Sequence, residues 1–183
     1  SAGLGKVIEA SQAFKRVIEI NPKFADGHNN FGLSCQQQGR WEEAIEAYTI
    51  ALKLNPNYAS AYNNLGNTLK ELGSLEEAIK AYKKALSLEP NYANGFNNLG
   101  NALKDQGNLD EAITVFNKAL DLKTDNAVTY NNIGLTLKDQ GKLEEAKDSF
   151  KKALSLKSDY AKAHRNLSTI VKYKLGNPQI KSV

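Results

Sequence analysis

The chain has 183 residues, of which 41% are hydrophobic and 24% are charged, which is the balance of a folded, soluble protein. No apolar run approaches the roughly 18 residues that a membrane-spanning helix needs, and the start does not resemble a signal peptide, so we expect no membrane partner. The net charge of +4 would suit nucleic acid, but the basic residues are not interleaved with stacking aromatic residues, so nucleic acid is not an expected partner.

In chain order, the sequence begins with residues 1–24, which fit only the second half of the repeat that follows and predict a half repeat. Four full stretches then align without a gap at a spacing of 34 residues: 25–58, 59–92, 93–126 and 127–160. Residues 161–173 fit the first half of a unit and predict a C-terminal capping helix, with a tail at 174–183. A fixed period between roughly 20 and 50 residues is typical of a solenoid. We therefore expect one array over residues 1–183.

The unit at 59–92 predicts two antiparallel helices joined by a tight turn. The first helix carries its core residues at helical spacing: Tyr62, Leu65, Gly66 and Leu69. Gly73 is expected to end this helix, because glycine readily adopts a positive φ. Pro90 is expected to end the second helix, because proline cannot continue one.

The second helix of a unit begins with a side-chain pattern that predicts a capping box. Ser74 is followed three residues later by Glu77, so each side chain could bind a free backbone N–H of the first turn. Asn108 and Glu111 repeat the arrangement in the next unit.

Several columns of the alignment recur and carry a resemblance to a known family. They are Gly32, Gly66, Gly100 and Gly134; Ala44, Ala78, Ala112 and Ala146; Tyr48, Tyr82, Phe116 and Phe150; and Pro22, Pro56 and Pro90. The pattern resembles the tetratricopeptide repeat. The resemblance implies an all-α fold, a right-handed α-solenoid superhelix of helix–turn–helix repeats, with a concave groove lined mainly by the first helix of each unit. Thr124 and Ser158 stand where the family has proline, which we expect to loosen those two helix ends.

The N-terminal end of the array is predicted to lack a cover. Phe14 and Ile18 fit second-helix core columns, but no complete first helix precedes them in the sequence. We expect both side chains to be short of partners, so that this end either self-associates or is covered by residues outside the chain.

The chain offers few residues for catalysis. His28 and His164 occupy the aromatic core column and Cys35 an apolar packing column, so we expect all three in the core. No glycine-rich phosphate loop and no metal-spaced group of cysteines and histidines is present. We therefore expect neither enzymatic activity nor a cofactor. A single cysteine cannot form an internal disulfide, which favours a reducing, cytoplasmic compartment.

The side of each first helix opposite the core is the predicted binding face. One column of this face, here called the asparagine ladder, contains only asparagine: Asn30, Asn64, Asn98, Asn132 and Asn166. Other predicted contact residues lie beside the ladder: Lys70, Lys104, Lys138, Asn67, Asn101, Leu33, Leu135 and Tyr173. A side-chain amide offers one acceptor and two donors, which suits the N–H and C=O groups of an extended peptide. The ladder would bind the peptide backbone, while Leu33, Val128, Leu135 and Tyr173 would contact its side chains.

The ladder resembles that of O-linked N-acetylglucosamine transferases, whose groove holds substrate polypeptide. A plain alternative remains open, namely that duplication copied an exposed polar residue. A second column also repeats, on a less favourable face: Asn29, Asn63, Asn97 and Asn131. The flanking lysines would favour an acidic or C-terminal segment. However, only Asn101, Asn132 and Lys162 match the five columns of the family's carboxylate clamp, so we do not expect a clamp.

Together these features predict a non-catalytic protein-interaction module that binds an extended polypeptide. One alternative is the substrate-targeting array of a larger enzyme, such as a glycosyltransferase or sulfotransferase; the half repeat and the absence of methionine favour a fragment. The other alternative is a self-assembly module that stacks end to end.

Overall fold

The computed structural model describes residues 2–176, with side chains described for residues 5–171. This part of the chain is all-helical and contains no β-strand. The helices are α1 (Ala2–Ile20), α2 (Ala25–Gln37), α3 (Trp41–Leu54), α4 (Ala59–Glu71), α5 (Leu75–Leu88), α6 (Ala93–Asp105), α7 (Leu109–Leu122), α8 (Ala127–Asp139), α9 (Leu143–Leu156) and α10 (Ala161–Gly176).

The helices form two compact units, one up to Asn98 and the other from Leu99, so the boundary falls within α6. In the first unit α2 packs on α3 and α4 on α5, and the pairs are linked by contacts between α1 and α2 and between α3 and α4. In the second unit α8 packs on both α7 and α9, and α10 packs on α9 and α8. Within each unit, the helices that pack together are mostly neighbours in sequence, which is the arrangement of an α-solenoid.

The two helices of a pair are joined at a glycine with positive φ, as predicted for Gly73, whose φ is 80°. Its N–H donates to the Lys70 carbonyl at 3.0 Å, and the Ser74 N–H donates to the Leu69 carbonyl at 2.9 Å. The turn therefore satisfies the final carbonyl groups of α4, as a glycine-based helix C-cap does. The equivalent glycines have φ values of 73°, 89° and 79°: Gly39, Gly107 and Gly141.

The predicted capping boxes are wrong, because neither Ser74 nor Asn108 makes a side-chain cap hydrogen bond. The glycine turn leaves Ser74 at ψ 67°, short of the extended conformation from which an N-cap side chain reaches the first turn. The Asn108 amide instead donates to Gln106 Oε1 at 2.7 Å. A side-chain cap occurs at α8, where Asn126 accepts hydrogen bonds from the backbone of Val128 and Thr129 at 3.1 and 3.2 Å.

The helix ends without proline are as regular as the others. Lys123 N donates to the Ala119 carbonyl at 3.0 Å, and Lys157 N donates to the Ala153 carbonyl at 2.9 Å. The helices before Thr124 and Ser158 therefore end with the same backbone hydrogen bond as those before the prolines, and the expected loosening stays a prediction.

The recurring glycine and aromatic columns meet in the core. A Cβ atom on Gly66 would lie 2.7 Å from Tyr82 Cε1, which is closer than real Cβ contacts. The aromatic side chains of this column are fully buried: Tyr48, Tyr82, Phe116 and Phe150. Glycine therefore recurs at this position because an aromatic ring lies flat against the first helix.

The two histidines differ in burial. His28 is buried, with Nε2 2.9 Å from the Pro22 carbonyl oxygen. His164 is exposed, with Nε2 2.7 Å from the Ser158 carbonyl oxygen, so its predicted core position is wrong. Both histidines occupy the same repeat position, and each ring contacts the carbonyl oxygen six residues earlier in the chain. Their burial differs because it also depends on which residues pack over the ring. Cys35 is fully buried as predicted.

The first helix, α1, differs from expectation in which side chains lack cover. Phe14 and Ile18 are half-buried, and Ile18 packs near Gly27 of α2. Ile20 is the most exposed of the described apolar side chains of α1, with 85% of its surface accessible, and Ile8 and Val17 are also exposed. Ile18 thus has a neighbour on α2, which packs against α1, and the lack of cover at this end of the array stays a prediction.

Candidate functional site

The ladder asparagines lie on the first helices of their pairs, and all five side chains are half-buried. Asn30, Asn64 and Asn98 belong to the first unit, and Asn132 and Asn166 to the second. The asparagines directly before three of the ladder positions, here called the buried column, are only 6%, 4% and 2% exposed: Asn29, Asn63 and Asn131. Two adjacent asparagines of one helix therefore occupy different environments.

A hydrogen bond joins each of three ladder amides to the buried column of the preceding pair. The bonds run from Asn64 Nδ2 to Asn29 Oδ1 at 3.2 Å, from Asn98 Nδ2 to Asn63 Oδ1 at 3.0 Å, and from Asn166 Nδ2 to Asn131 Oδ1 at 2.9 Å. A buried amide oxygen without a donor would destabilise the fold. The ladder therefore has a structural reason to repeat, which the sequence interpretation had not identified.

The inter-repeat bond leaves part of the Asn64 and Asn98 amides for other contacts. An asparagine amide has two N–H groups and a carbonyl oxygen with two lone pairs. In Asn98 one N–H is directed to Asn63 Oδ1, so the second N–H and Oδ1 can bind another molecule. The same holds for Asn64, whose first N–H is directed to Asn29.

Buried hydroxyl groups lie beneath the ladder, and sequence reasoning also missed them. Each donates to the backbone carbonyl of a ladder residue four positions earlier: Ser34 to Asn30 at 2.9 Å, Thr68 to Asn64 at 3.1 Å and Thr136 to Asn132 at 2.8 Å. A hydroxyl in a helix interior commonly makes this bond. The equivalent residue in the next unit, Ala102, is also fully buried, so the position tolerates a residue without a hydroxyl.

Asn67 and Asn101, two predicted contact residues beside the ladder, are held differently in the two units. The Tyr82 hydroxyl donates to Asn67 Oδ1 at 2.8 Å within the first unit. At the equivalent place in the second unit, Phe116 has no hydroxyl to offer Asn101. Both amides are half-buried, but Asn67 has an acceptor position already used within the protein.

The lysines beside the ladder are paired with neighbouring acids. Lys70 Nζ lies 3.4 Å from Glu71 Oε1, and Lys104 Nζ lies 3.0 Å from Asp105 Oδ1. Exposed pairs of this kind add little stability, but they balance the charge of the face. Lys138 is half-buried and is followed in sequence by Asp139.

The predicted apolar contact residues are present on the surface of their own units. Leu33 is 37% exposed in the first unit, and Val128 is 45% exposed in the second. Leu135 is half-buried. The predicted contact at Tyr173 lies outside the described side chains.

Metal, membrane and cavity sites are the other kinds of site that the described residues could form. No group of three histidine, cysteine, aspartate or glutamate side chains within this part of the chain could hold a metal ion. No described helix has the length and apolar character to cross a bilayer. A cleft of about 330 Å³ in the first unit has a lining of apolar and charged residues and contains no ladder residue; it is lined by Tyr62, Leu65, Leu69, Glu77, Lys80, Ala81 and Lys84.

Comparisons with solved structures show the same fold in several proteins. The crystal structure of MamA has 29% identity and a TM-score of 0.78, with 86% of this chain and 92% of MamA covered. MamA 41-end from Desulfovibrio magneticus RS-1 has 20% identity and a TM-score of 0.79, with coverage of 86% and 89%. YrrB, described as a TPR protein with an unusual peptide-binding site, has 21% identity and a TM-score of 0.75, with coverage of 90% and 84%. A comparison with curated proteins found no match.

Family models match most of the chain. The TPR repeat model matches residues 32–73 and 66–107, and two tetratricopeptide repeat models match residues 91–159 and 13–46. These matches cover the helix pairs described above, including the glycine and aromatic columns. The chain therefore belongs to the tetratricopeptide repeat family.

Proposed function

We propose that the chain is a non-catalytic protein-interaction module whose ladder face binds the main chain of an extended polypeptide. The observation that carries the proposal is the row of oriented amides in the first unit. Asn64 and Asn98 each have one N–H bound within the protein and the rest of the amide available. Asn30 supplies a third half-buried amide at the equivalent position of α2, and its Oδ1 accepts from Asn29 Nδ2 at 3.4 Å.

The available groups match an extended backbone. Such a segment has N–H and C=O groups that lack partners within the segment itself. The Oδ1 atom of a ladder amide can accept from a peptide N–H, and the free N–H of the same amide can donate to a peptide C=O. Recognition of this kind depends on backbone geometry rather than side-chain identity, so the module would accept many sequences.

The charge of the face favours a neutral backbone over an acidic tail. Lys70 and Lys104 are each paired with an adjacent acid. An acidic ligand would therefore meet the carboxylates of Glu71 and Asp105 as well as the ammonium groups. Leu33, which is 37% exposed, offers an apolar contact for a peptide side chain.

Peptide binding by YrrB gives an analogy, but at 21% identity the likeness carries the fold alone. The resemblance of the ladder to that of O-linked N-acetylglucosamine transferases is likewise an analogy. A substrate-targeting array within a larger enzyme, such as a glycosyltransferase or sulfotransferase, would use the same face. Both versions therefore make the same prediction for this chain.

The test is binding of a random peptide pool to the parent and to a variant with Asn64→Ala and Asn98→Ala. Each substitution leaves a buried oxygen without its donor, so the variant will be less stable. The matched control is Leu86→Ala, a core substitution that costs about 2–5 kcal/mol and changes no ladder residue. Binding is measured below the unfolding transition of all three proteins, with folding checked by circular dichroism. We expect the parent and control to bind the enriched peptides and the ladder variant to lose them. Equal binding by all three, or none by the parent, contradicts the proposal.

Self-association through α1 is a second candidate, favoured by the exposed apolar residues at this end. Ile20 is 85% exposed, Ile8 41% and Phe24 41%. An Ile20→Lys variant should then reduce any concentration-dependent rise in mass seen by light scattering. A parent whose mass is that of the monomer at every concentration contradicts this candidate.

A further inference from the structure

We propose that Asn29 and Asn63 of the buried column are positioning residues that hold the ladder amides of Asn64 and Asn98 ready for a peptide backbone. The inference rests on the proposed function and assigns a role to side chains that would not touch the peptide. Its basis is the pair of inter-repeat hydrogen bonds at 3.2 and 3.0 Å.

The geometry of an amide makes one bond sufficient to orient the whole group. The carbonyl oxygen and both N–H groups lie in one plane, so fixing one N–H direction also fixes the other two binding groups. The terminal torsion of asparagine has a broad energy profile when nothing holds it. Without Asn63, the amide of Asn98 would rotate, and a peptide would have to order it on binding.

The acceptors are suited to this task because they are themselves fixed. Asn29 is 6% exposed and Asn63 is 4% exposed, so neither side chain can move without disturbing the packing around it. The Asn29 amide also donates from Nδ2 to Oδ1 of the neighbouring ladder residue, Asn30, at 3.4 Å. One buried amide thus contacts two ladder residues, Asn64 of the following helix pair and Asn30 of its own.

Stability alone does not require asparagine in the buried column. Replacing both partners of a buried hydrogen bond by apolar groups of the same shape can be nearly neutral or stabilising. The nearby buried position of Thr68 shows that this face accepts residues of either kind, since its equivalent in the next unit is Ala102. The pairing of a buried asparagine with a ladder asparagine is therefore explained better by its effect on the orientation of the ladder amide than by packing.

The test uses Asn63→Leu, which keeps the approximate size of the side chain and removes the acceptor. Thr68→Ala is the matched control, because it removes a buried polar contact on α4 but leaves both amide pairs intact. Two quantities are measured: the affinity for a peptide enriched by the parent, and the ¹⁵N order parameter of the Asn98 side-chain NH₂ group in the free protein. We expect Asn63→Leu to lower the affinity about threefold to tenfold relative to the control. The order parameter of Asn98 should fall, while that of Asn64 stays unchanged.

A second variant, Asn29→Leu, keeps the test decisive if Asn63→Leu does not fold. It should loosen the amide of Asn64 and leave that of Asn98 ordered. The positioning role is overturned if the affinity equals that of the control, or if the NH₂ group stays ordered, while Asn64→Ala with Asn98→Ala still abolishes binding. In that case the proposed function stands. A parent that binds no peptide overturns both.

Discussion

The hydrogen bond between Asn98 and Asn63 makes a quantitative prediction about stability. Asn98→Ala removes the donor and leaves Asn63 Oδ1 without its partner, and the Asn63 side chain is only 4% exposed. A buried polar group left unsatisfied costs about 1–3 kcal/mol. We expect Asn98→Ala to lower the free energy of unfolding by this amount, although an exposed polar side chain on a helix surface would change it by less than about 0.5 kcal/mol.

The double variant should be more stable than the two single variants imply. Asn63→Ala removes the acceptor and leaves an N–H of Asn98, which is half-buried and can bind water. Once either partner is gone, removing the other has no hydrogen bond left to break. We therefore expect a coupling free energy of about 0.5–1.5 kcal/mol between the two positions, the net contribution of one such bond.

The assay is urea unfolding at 25 °C followed by circular dichroism, with the same cycle repeated for Asn98 and Thr49. The Thr49 hydroxyl donates to the Ile45 carbonyl on α3 and shares no partner with Asn98, so that control cycle should be additive within about 0.5 kcal/mol. Hydrogen exchange of the α4 and α6 amides will show whether the loss is local, because repeat arrays do not always unfold as one unit. An Asn63–Asn98 cycle as additive as the control would refute the reasoning.

Three further predictions concern other parts of the first unit. Gly66→Ala should cost about 1–3 kcal/mol, because the added Cβ would lie 2.7 Å from Tyr82 Cε1; an unchanged thermal midpoint would contradict this. Burial raises the pKa of the Cys35 thiol, so a disulfide reagent should modify it only as denaturant unfolds the protein, and rapid modification of the native protein would be contrary evidence. The Arg40 guanidinium donates to Glu43 and lowers the pKa of that carboxyl below its ordinary value of 4.5. Its stabilisation is therefore present above pH 4.5 and lost as the pH falls through the folded pKa, so the stability difference between the parent and Glu43→Gln should shrink in acid; a difference independent of pH would rule this out.

The helices and their turns could be predicted because their causes are local. Helical spacing of apolar residues and the positive φ of Gly73 depend on a few neighbouring residues. The Gly66 and Tyr82 columns are equally informative, because glycine inside a helix costs stability, so its recurrence indicates that a large side chain packs closely there. Each of these positions alone is a weak indication of structure, but together they are a strong one because they recur in successive repeats.

The sequence-based predictions were wrong or incomplete where the local structure depends on distant residues or on exact backbone angles. The capping box failed because the glycine turn fixes the ψ of Ser74 at 67°, a value that sequence does not reveal. His164 shares a column with buried residues but is exposed. The buried column was missed because Asn63 looks like an exposed polar residue when its own helix is considered alone. Its burial depends on the neighbouring helix pairs, and the peptide-binding role of the ladder stays a prediction.

The inter-repeat bonds join residues 35 positions apart, one more than the length of the repeat. Each bond therefore connects two unlike positions, and its partners come from successive units rather than from particular places in the chain. Removing residues 59–92 as a block would bring Asn98 to the same sequence distance from Asn29 as it now has from Asn63. Insertion or loss of a complete repeat thus regenerates the bond at the new junction, whereas a residue inserted within a helix, before the ladder position, would rotate the amide by about 100° around that helix. An array built in this way can gain or lose whole repeats during evolution and still satisfy the buried amides at each new junction.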